Sequence, residues 1–158
     1  MMEQQITYKN YIFSKDEFEV QIENNNIIVK PKIKIVKILT TNDFIDNYNA
    51  KDFRYSKILS CFINNENKLI YKYLTILKNL YGLIGSGKKI IKNTLLNYET
   101  IEIKENGFIF LNNLGISIQP KEAGDILVEI INQSLVNKIK IEIVIELQKN
   151  EKIKIINF

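Results

Sequence analysis

The stretch ENKLIYKYLTILKNLYGLIGSGKKIIKNTLLNY, residues 66–98, decides the expected fold because it carries the longest helical periodicity in the chain. Apolar residues recur at spacings of three and four on one side, and lysine, threonine and asparagine occupy the other side. The apolar side consists of Ile70, Tyr73, Leu74, Leu77, Leu80, Tyr81 and Ile84. The pattern predicts an amphipathic helix that ends at Gly85-Ser86-Gly87, followed by a shorter helix through Ile90 and Leu95.

The first forty residues show a different period, in which apolar and polar residues alternate. Phe18, Val20 and Ile22 alternate with charged or amide residues, which is typical of a half-buried strand. The asparagines at 24–26 predict a turn, because asparagine tolerates left-handed backbone conformations. Residues 27–39 then predict a second strand with a bulge near Val36, so we expect residues 1–39 to be rich in β-structure.

Residues 40–65 predict further helical structure. Thr41 or Asn42 is a typical first capping residue for a short helix through Tyr48. Between Lys51 and Ile63, the spacing of Phe53, Ile58, Leu59 and Phe62 is consistent with another helix. The whole of residues 40–98 is therefore predicted to be helical.

The last third predicts a β-hairpin, a helix and a second β-hairpin over residues 99–158. The first hairpin joins residues 100–104 to residues 108–111 through Asn106-Gly107, a strong hairpin signal. Residues 116–119 predict a further strand, and Pro120 predicts the first turn of the helix. The terminal hairpin alternates apolar and charged residues over 139–147 and returns through Ile153 and Ile155.

These patterns together predict a single α+β domain over residues 1–158. Antiparallel hairpins lie at both ends, around a central amphipathic helical segment. A chain of 158 residues fits one domain and is long enough to bury a core without disulfides or metal.

Composition excludes several kinds of catalytic site. The chain has no histidine and one cysteine, Cys61, so the usual general base and multi-thiolate metal sites are missing. Cys61 lies in an apolar run, which predicts a buried, inert thiol. We therefore predict no catalytic, metal or cofactor site and no enzymatic activity. No signal peptide and no apolar run of about 20 residues is visible, which predicts a cytoplasmic protein without a membrane span.

One eight-residue segment resembles a known nucleotide-binding motif. Residues 82–89, GLIGSGKK, resemble the Walker A pattern of P-loop nucleotide-binding proteins at Gly82, Gly87 and Lys88. Lys89 departs from the pattern, since it occupies the Ser/Thr position that binds magnesium. The resemblance implies a nucleotide binder, whereas the helical periodicity before it favours a turn between two helices that uses glycine for backbone freedom.

Positive charge concentrates in the middle of the chain. Residues 51–98 hold eight lysines and Arg54 against Asp52 and Glu66, which gives a net charge of +7. The residues predicted to contact an anion or nucleic acid are Lys68, Lys72, Lys78, Gly87, Lys88, Lys89 and Lys92. The alternative is a solvated helix face, which the presence of only one arginine favours.

The function predicted first is a non-catalytic binding or assembly protein that acts through protein–protein contacts. The isoleucine-rich hairpins at residues 5–39 and 138–158 offer sheet edges for self-association or for a partner strand. The 31 isoleucines, 21 lysines and 20 asparagines indicate an AT-rich genome, which suits an accessory protein of a bacterium, phage or mobile element, such as a virion component or an inhibitor of a host system. A nucleic-acid-binding domain is the alternative, and a P-loop-like nucleotide binder is the third.

Overall fold

The computed structural model of the chain describes residues 5–8, 11–14, 18–31, 35, 37–40, 43 and 49–157. In these ranges the helices are α1 (Tyr73–Ile84), α2 (Gly87–Asn93) and α3 (Ala123–Val136), with a 3₁₀ turn at Ala50–Phe53. The strands are β1 (Gln5–Tyr8), β2 (Tyr11–Ser14), β3 (Phe18–Glu23), β4 (Asn26–Pro31), β5 (Lys37–Thr40), β6 (Lys57–Ile63), β7 (Glu66–Asn67), β8 (Asn97–Glu99), β9 (Ile109–Leu111), β10 (Ile116–Gln119), β11 (Ile141–Glu146) and β12 (Lys152–Ile156). This combination of helices and mainly antiparallel sheets confirms the predicted α+β class.

By its internal contacts the chain divides into two compact units, Met1–Lys34 and Ile35–Phe158. The first unit contains two antiparallel pairs, β1 with β2 and β3 with β4. Asn24 and Asn25 connect β3 to β4 at positive φ angles of 48° and 65°, which confirms the predicted asparagine turn. The single domain predicted over residues 1–158 stays a prediction.

The predicted strand over residues 27–39 is wrong as a single element. β4 ends at Pro31, and β5 belongs to a different sheet, in the second unit. Proline has no amide hydrogen to donate to a neighbouring strand, so a strand that ends at Pro31 leaves no amide donor of that residue unpaired. The bulge near Val36 and the short helix predicted over residues 41–48, apart from Asp43, lie outside the described residues.

The second unit is built on a five-stranded sheet in the order β5–β12–β11–β6–β7. β11 and β12 pair antiparallel with Ile143 opposite Ile155, which confirms the predicted terminal hairpin. β5 joins the other side of β12 in parallel. Because β11 has β6 as its second partner, the hairpin forms the centre of the sheet.

The helix predicted between Lys51 and Ile63 is wrong. Only the short 3₁₀ turn is helical, and β6 is a strand between β11 and β7. The cause is a bulge: Val144 pairs with Ser60 and Ile145 with Ile58, which leaves Leu59 as an extra residue. The bulge shifts the buried positions to Ile58, Cys61 and Ile63, and this spacing of three resembles a helical repeat in the sequence.

The central helices follow the predicted periodicity from Tyr73 onward, whereas Ile70, which was predicted on the apolar side of the helix, lies before it. α1 buries Tyr73, Ile76, Leu77, Leu80 and Tyr81, and it packs against α3. α3 begins at Ala123, three residues after the predicted start at Pro120, and the Asp125 carboxylate accepts the Glu122 amide there at 3.1 Å. In α3, Leu127, Ile130 and Ile131 are buried, Ile126 is half-buried and Leu135 is exposed.

A second sheet has the order β8–β10–β9, so the hairpin predicted around Asn106-Gly107 is wrong. The tight turn itself is present, with both residues at positive φ and the Phe108 amide donating to the Glu105 carbonyl at 3.0 Å. Residues 100–104 form no ladder, because the Ser117 hydroxyl of β10 binds their backbone instead. The predicted strand over residues 116–119 is confirmed as β10, the central strand.

Candidate binding surfaces

The corner between α1 and α2 contains the segment that resembles a Walker A motif. Gly85 ends α1 with a left-handed φ of 69°, and its amide donates to the Tyr81 carbonyl at 2.8 Å. Ser86 caps α2 by accepting the Lys89 amide at 3.4 Å. A Cβ at Gly87 would lie 2.4 Å from the Leu114 carbonyl oxygen. The predicted helix-to-helix turn is confirmed, and helix ending and close packing account for Gly85 and Gly87.

The residues predicted to contact an anion are spread over three elements. Lys68 lies before α1, and its ammonium is 3.2 Å from a Glu66 carboxylate oxygen. Lys72 precedes the first residue of α1, and Lys78 lies in its middle. Gly87, Lys88, Lys89 and Lys92 belong to α2, where the three lysines are exposed. Within the described part of the chain, Lys72, Lys78 and these three lysines form no ion pair.

A cleft of about 480 Å³ lies between α1 and the turn from β9 to β10. It is lined by Lys78, Tyr81, Gly82, Gly85, Phe110, Leu111, Asn112, Asn113 and Leu114. Of the seven residues predicted to contact an anion, this cleft contains Lys78. One ammonium and two asparagine side chains give it few charged groups for holding a phosphate chain.

Behind the α1–α2 corner, Glu129 of α3 holds the segment that leads into β8. Its carboxylate is fully buried and accepts hydrogen bonds from the Thr94 hydroxyl, from the Leu95 amide at 3.1 Å and from the Leu96 amide at 3.4 Å. The Tyr81 hydroxyl is also buried and makes no hydrogen bond of good geometry. Burial, together with the nearby Glu129 charge, raises the pKa of Tyr81.

Strand β8 lies at the outer side of the three-stranded sheet, with β10 as its partner in the described residues. All three of its residues are exposed. Leu95 and Ile101 flank it with 62% and 63% of their surface accessible, and Tyr98 is 41% accessible. We call Leu95, Asn97, Tyr98, Glu99 and Ile101 the β8 surface. It combines an edge strand with three large exposed apolar side chains.

Two clefts border the β8 surface. One, of about 300 Å³, is lined by Leu95, Leu96, Asn97, Gln119, Lys121, Asp125 and Val128. The other, of about 410 Å³, is lined by Leu96, Asn97, Tyr98, Glu99, Phe108 and Gln119. They provide space beside the strand for the side chains of an added segment.

The edges predicted for a partner strand are only partly available. In the hairpin at residues 138–158, β11 pairs with β6 and β12 pairs with β5, so neither strand is an edge. β5 is at the edge of its sheet, although its flanking residues 36 and 41–42 lie outside the described residues. In the described residues, β7, β8 and β9 are also edge strands, and β8 is the one of these that has three exposed residues with exposed aliphatic residues on both sides.

Sequence reasoning missed the β8 surface because exposure at this position depends on the tertiary fold. Leu95 was expected on the second helix, whereas α2 ends at Asn93. The Leu95-Leu96 pair was the available signal, since adjacent side chains of an extended segment point to opposite sides. Here Leu96 is buried and Leu95 is exposed.

The single cysteine is buried, as the sequence predicts. Cys61 lies in β6 with no accessible surface, and burial raises the pKa of its thiol to about 11. In the described ranges, no three histidine, cysteine, aspartate or glutamate side chains form a group that could hold a metal ion.

Comparison of the chain with protein-family models, with curated proteins and with solved structures finds no match in any of the three. None of the helices in the described part of the chain is both long enough and apolar enough to span a membrane.

Proposed function

We propose that the protein is a non-catalytic binding or assembly protein that receives a partner strand at the β8 surface. The observation that carries the proposal is an edge strand with three exposed residues, flanked on both sides by exposed aliphatic side chains. Backbone hydrogen bonds to an added strand supply affinity, and side chains entering the flanking clefts supply specificity.

Apolar burial supports the proposal. Leu95 and Ile101 each expose more than half of their surface, and complete burial of such a side chain is worth about 1.5–3 kcal/mol. This gain is offset by the association entropy, so a strand of three residues gives a modest affinity unless the partner also fills the clefts. A rigid edge reduces the ordering cost, and buried side chains fix this edge at both ends.

The test compares two triple variants of the full chain in extract from cells that express it. The first replaces Leu95, Tyr98 and Ile101 with serine. The control replaces Leu69, Tyr71 and Leu83 with serine, which removes the same classes of exposed apolar side chain outside β8. We expect the wild type and the control to elute in a larger assembly on size-exclusion chromatography, and the first variant to elute alone. Equal elution of the two variants contradicts the proposal.

A second candidate function, nucleic-acid binding, is favoured by one observation. Five lysines on and before α1 and α2 are exposed without an ion pair in the described ranges: Lys72, Lys78, Lys88, Lys89 and Lys92. If all five contacted phosphates of duplex DNA, the logarithm of the association constant would fall with the logarithm of the salt concentration with a slope of about −4.5. Replacing the three lysines of α2 with alanine would then make the slope shallower by about 2.7. A slope near zero contradicts this function.

The biological setting belongs to the same proposal. A cytoplasmic accessory protein of a bacterium, phage or mobile element, without enzymatic activity, fits the isoleucine-, lysine- and asparagine-rich composition and the lack of histidine. No specific observation favours a P-loop-like nucleotide binder, because helix ending accounts for Gly85, close packing accounts for Gly87, and the cleft beside the corner contains one lysine, Lys78.

A further inference from the structure

The exposed apolar residues of the β8 surface are symmetric along the chain. Leu95 and Ile101 each lie three positions from Tyr98, and Asn97 and Glu99 each lie one position from it. An interface between two identical copies around a two-fold axis requires such self-complementarity, because residue i of one copy meets residue j of the other, and j meets i.

Antiparallel pairing of two copies about Tyr98 satisfies this requirement. Within β8, Tyr98 then lies opposite Tyr98 and Asn97 opposite Glu99, and Leu95 of one copy, just beyond the strand, lies on the side of Ile101 of the other. The Asn97 amide donates one hydrogen to Gln119 Oε1 at 3.0 Å and has a second hydrogen for the facing Glu99 carboxylate. Apolar residues therefore meet apolar residues, and the carboxylate meets a donor.

Neighbouring symmetric registers are less favourable. An axis at Glu99 places the two Glu99 carboxylates directly opposite one another, and like charges at facing positions are destabilising. An axis at Asn97 places Leu95 opposite Glu99, which leaves the exposed leucine without an apolar neighbour. The sequence of the strand thus selects the axis at Tyr98.

Buried polar side chains hold both flanks of β8 in place. On one side, the Glu129 carboxylate accepts the Leu95 and Leu96 amides. On the other, the Ser117 hydroxyl donates to the Ile101 carbonyl at 2.6 Å and accepts the Ile103 amide at 2.9 Å. A strand fixed in this way loses little conformational entropy when it pairs.

We infer that the partner at the β8 surface is a second copy of this chain, paired antiparallel through β8 with the two-fold axis at Tyr98. This inference rests on the proposed function, because it names the occupant of the same surface.

The test is disulfide formation in the full-length chain with a cysteine placed at position 98, 97 or 99. Directly opposite Cα atoms lie about 4.5–5.5 Å apart, which permits a disulfide, whereas the two copies of position 97 would lie about 8 Å apart, which does not. The native Cys61 is buried and stays unreactive, and the wild-type chain controls for it.

We expect Tyr98→Cys to form a covalent dimer under mild oxidation about 10-fold faster than Asn97→Cys or Glu99→Cys alone. A mixture of Asn97→Cys and Glu99→Cys should give the heterodimer, since these positions face one another. Equal rates at all three positions, or no dimer from Tyr98→Cys, overturn the inference.

Sedimentation of surface variants that carry no added cysteine provides a second measurement, independent of any effect of the new cysteines. The wild type and Leu83→Lys should gain mass with concentration, and Tyr98→Lys should remain monomeric. A wild type that stays monomeric in isolation but joins a larger assembly in cell extract overturns self-pairing and retains the proposed function. A wild type that does neither overturns both.

Discussion

At the scale of single residues, the α1–α2 corner shows how similar glycines have different physical roles. Gly82 lies within α1, and an added Cβ there would meet no atom within 4 Å. Gly85 adopts the left-handed conformation that ends the helix. Gly87 has an ordinary backbone conformation, but the Leu114 carbonyl lies where its side chain would be. Close packing against Leu114 therefore accounts for a glycine at position 87, which the sequence alone suggested for phosphate binding.

Alanine substitutions separate these roles. Gly87→Ala should lower the free energy of unfolding by about 1–3 kcal/mol, because the methyl group requires the backbone around Leu114 to move. Gly82→Ala is the matched control and should raise it by about 0.5–1 kcal/mol, since alanine is the better helix former and has space. Urea denaturation measures both, and a Gly87→Ala variant as stable as the wild type would contradict the packing argument.

Buried hydroxyls give the protein a defined response to alkaline pH. Tyr73 donates to or accepts from the Ser56 hydroxyl at 2.7 Å, and burial raises the pKa of Tyr73 to about 12. Its unfolded pKa is about 10, so its contribution to stability is complete below pH 10 and is lost as the pH rises from 10 to 12. Burial also raises the pKa of Cys61 and the pKa of Tyr81.

We expect the free energy of unfolding to fall between pH 9 and pH 11, with about 1 kcal/mol of the loss due to Tyr73. Tyr73→Phe lacks the ionisable hydroxyl, so its stability should fall by that much less over the same interval. Urea denaturation of the two proteins at pH 8 and pH 11 measures the difference. Identical losses in the two proteins would show that Tyr73 does not cause the pH dependence.

Among the helices and strands, the sequence predicted those whose apolar residues recur with a regular local period. α1 and the terminal hairpin have clear periods, and both formed as predicted. β6 was missed because the bulge at Leu59 turns its alternation into a spacing of three. The Asn106-Gly107 turn formed without its hairpin, because strand pairing is decided by the tertiary position of β10. The β8 surface depends on the same tertiary arrangement, which a single sequence does not reveal.

The segment before β8 depends on one side chain of α3. Glu129→Leu would leave the Thr94 hydroxyl and the Leu95 amide without their acceptor, and the Leu96 amide would keep only the Thr94 hydroxyl oxygen as its acceptor. We expect exchange of these amides to become about 10- to 100-fold faster, which corresponds to the cost of unpaired buried donors. Glu129→Gln retains one acceptor oxygen and should have a smaller effect.

Hydrogen–deuterium exchange of residues 93–99 and of β11 distinguishes this local effect from general destabilisation. β11 lies between two strands of the larger sheet and should exchange slowest in wild type and variants alike. A Glu129→Leu chain in which β11 and residues 93–99 accelerate equally would contradict a local role for Glu129.

At the scale of the whole molecule, two surfaces compete as explanations of function. The basic middle of the chain has a net charge of +7 over residues 51–98, but its lysines are distributed over several elements. The β8 surface has little charge and combines an edge strand with apolar side chains. Edge strands with exposed apolar flanks promote association with other chains unless they are paired, and for this reason we propose the β8 surface as the binding site.

The most direct measurement replaces Tyr98 with a benzophenone amino acid and irradiates cells that express the protein. The same amino acid at Leu83, an exposed residue at the end of α1, is the control. We expect a light-dependent covalent adduct at position 98, with a second copy of the chain, and no comparable adduct at position 83. If position 98 gives no more adduct than position 83, the β8 surface is not where this protein binds its partner.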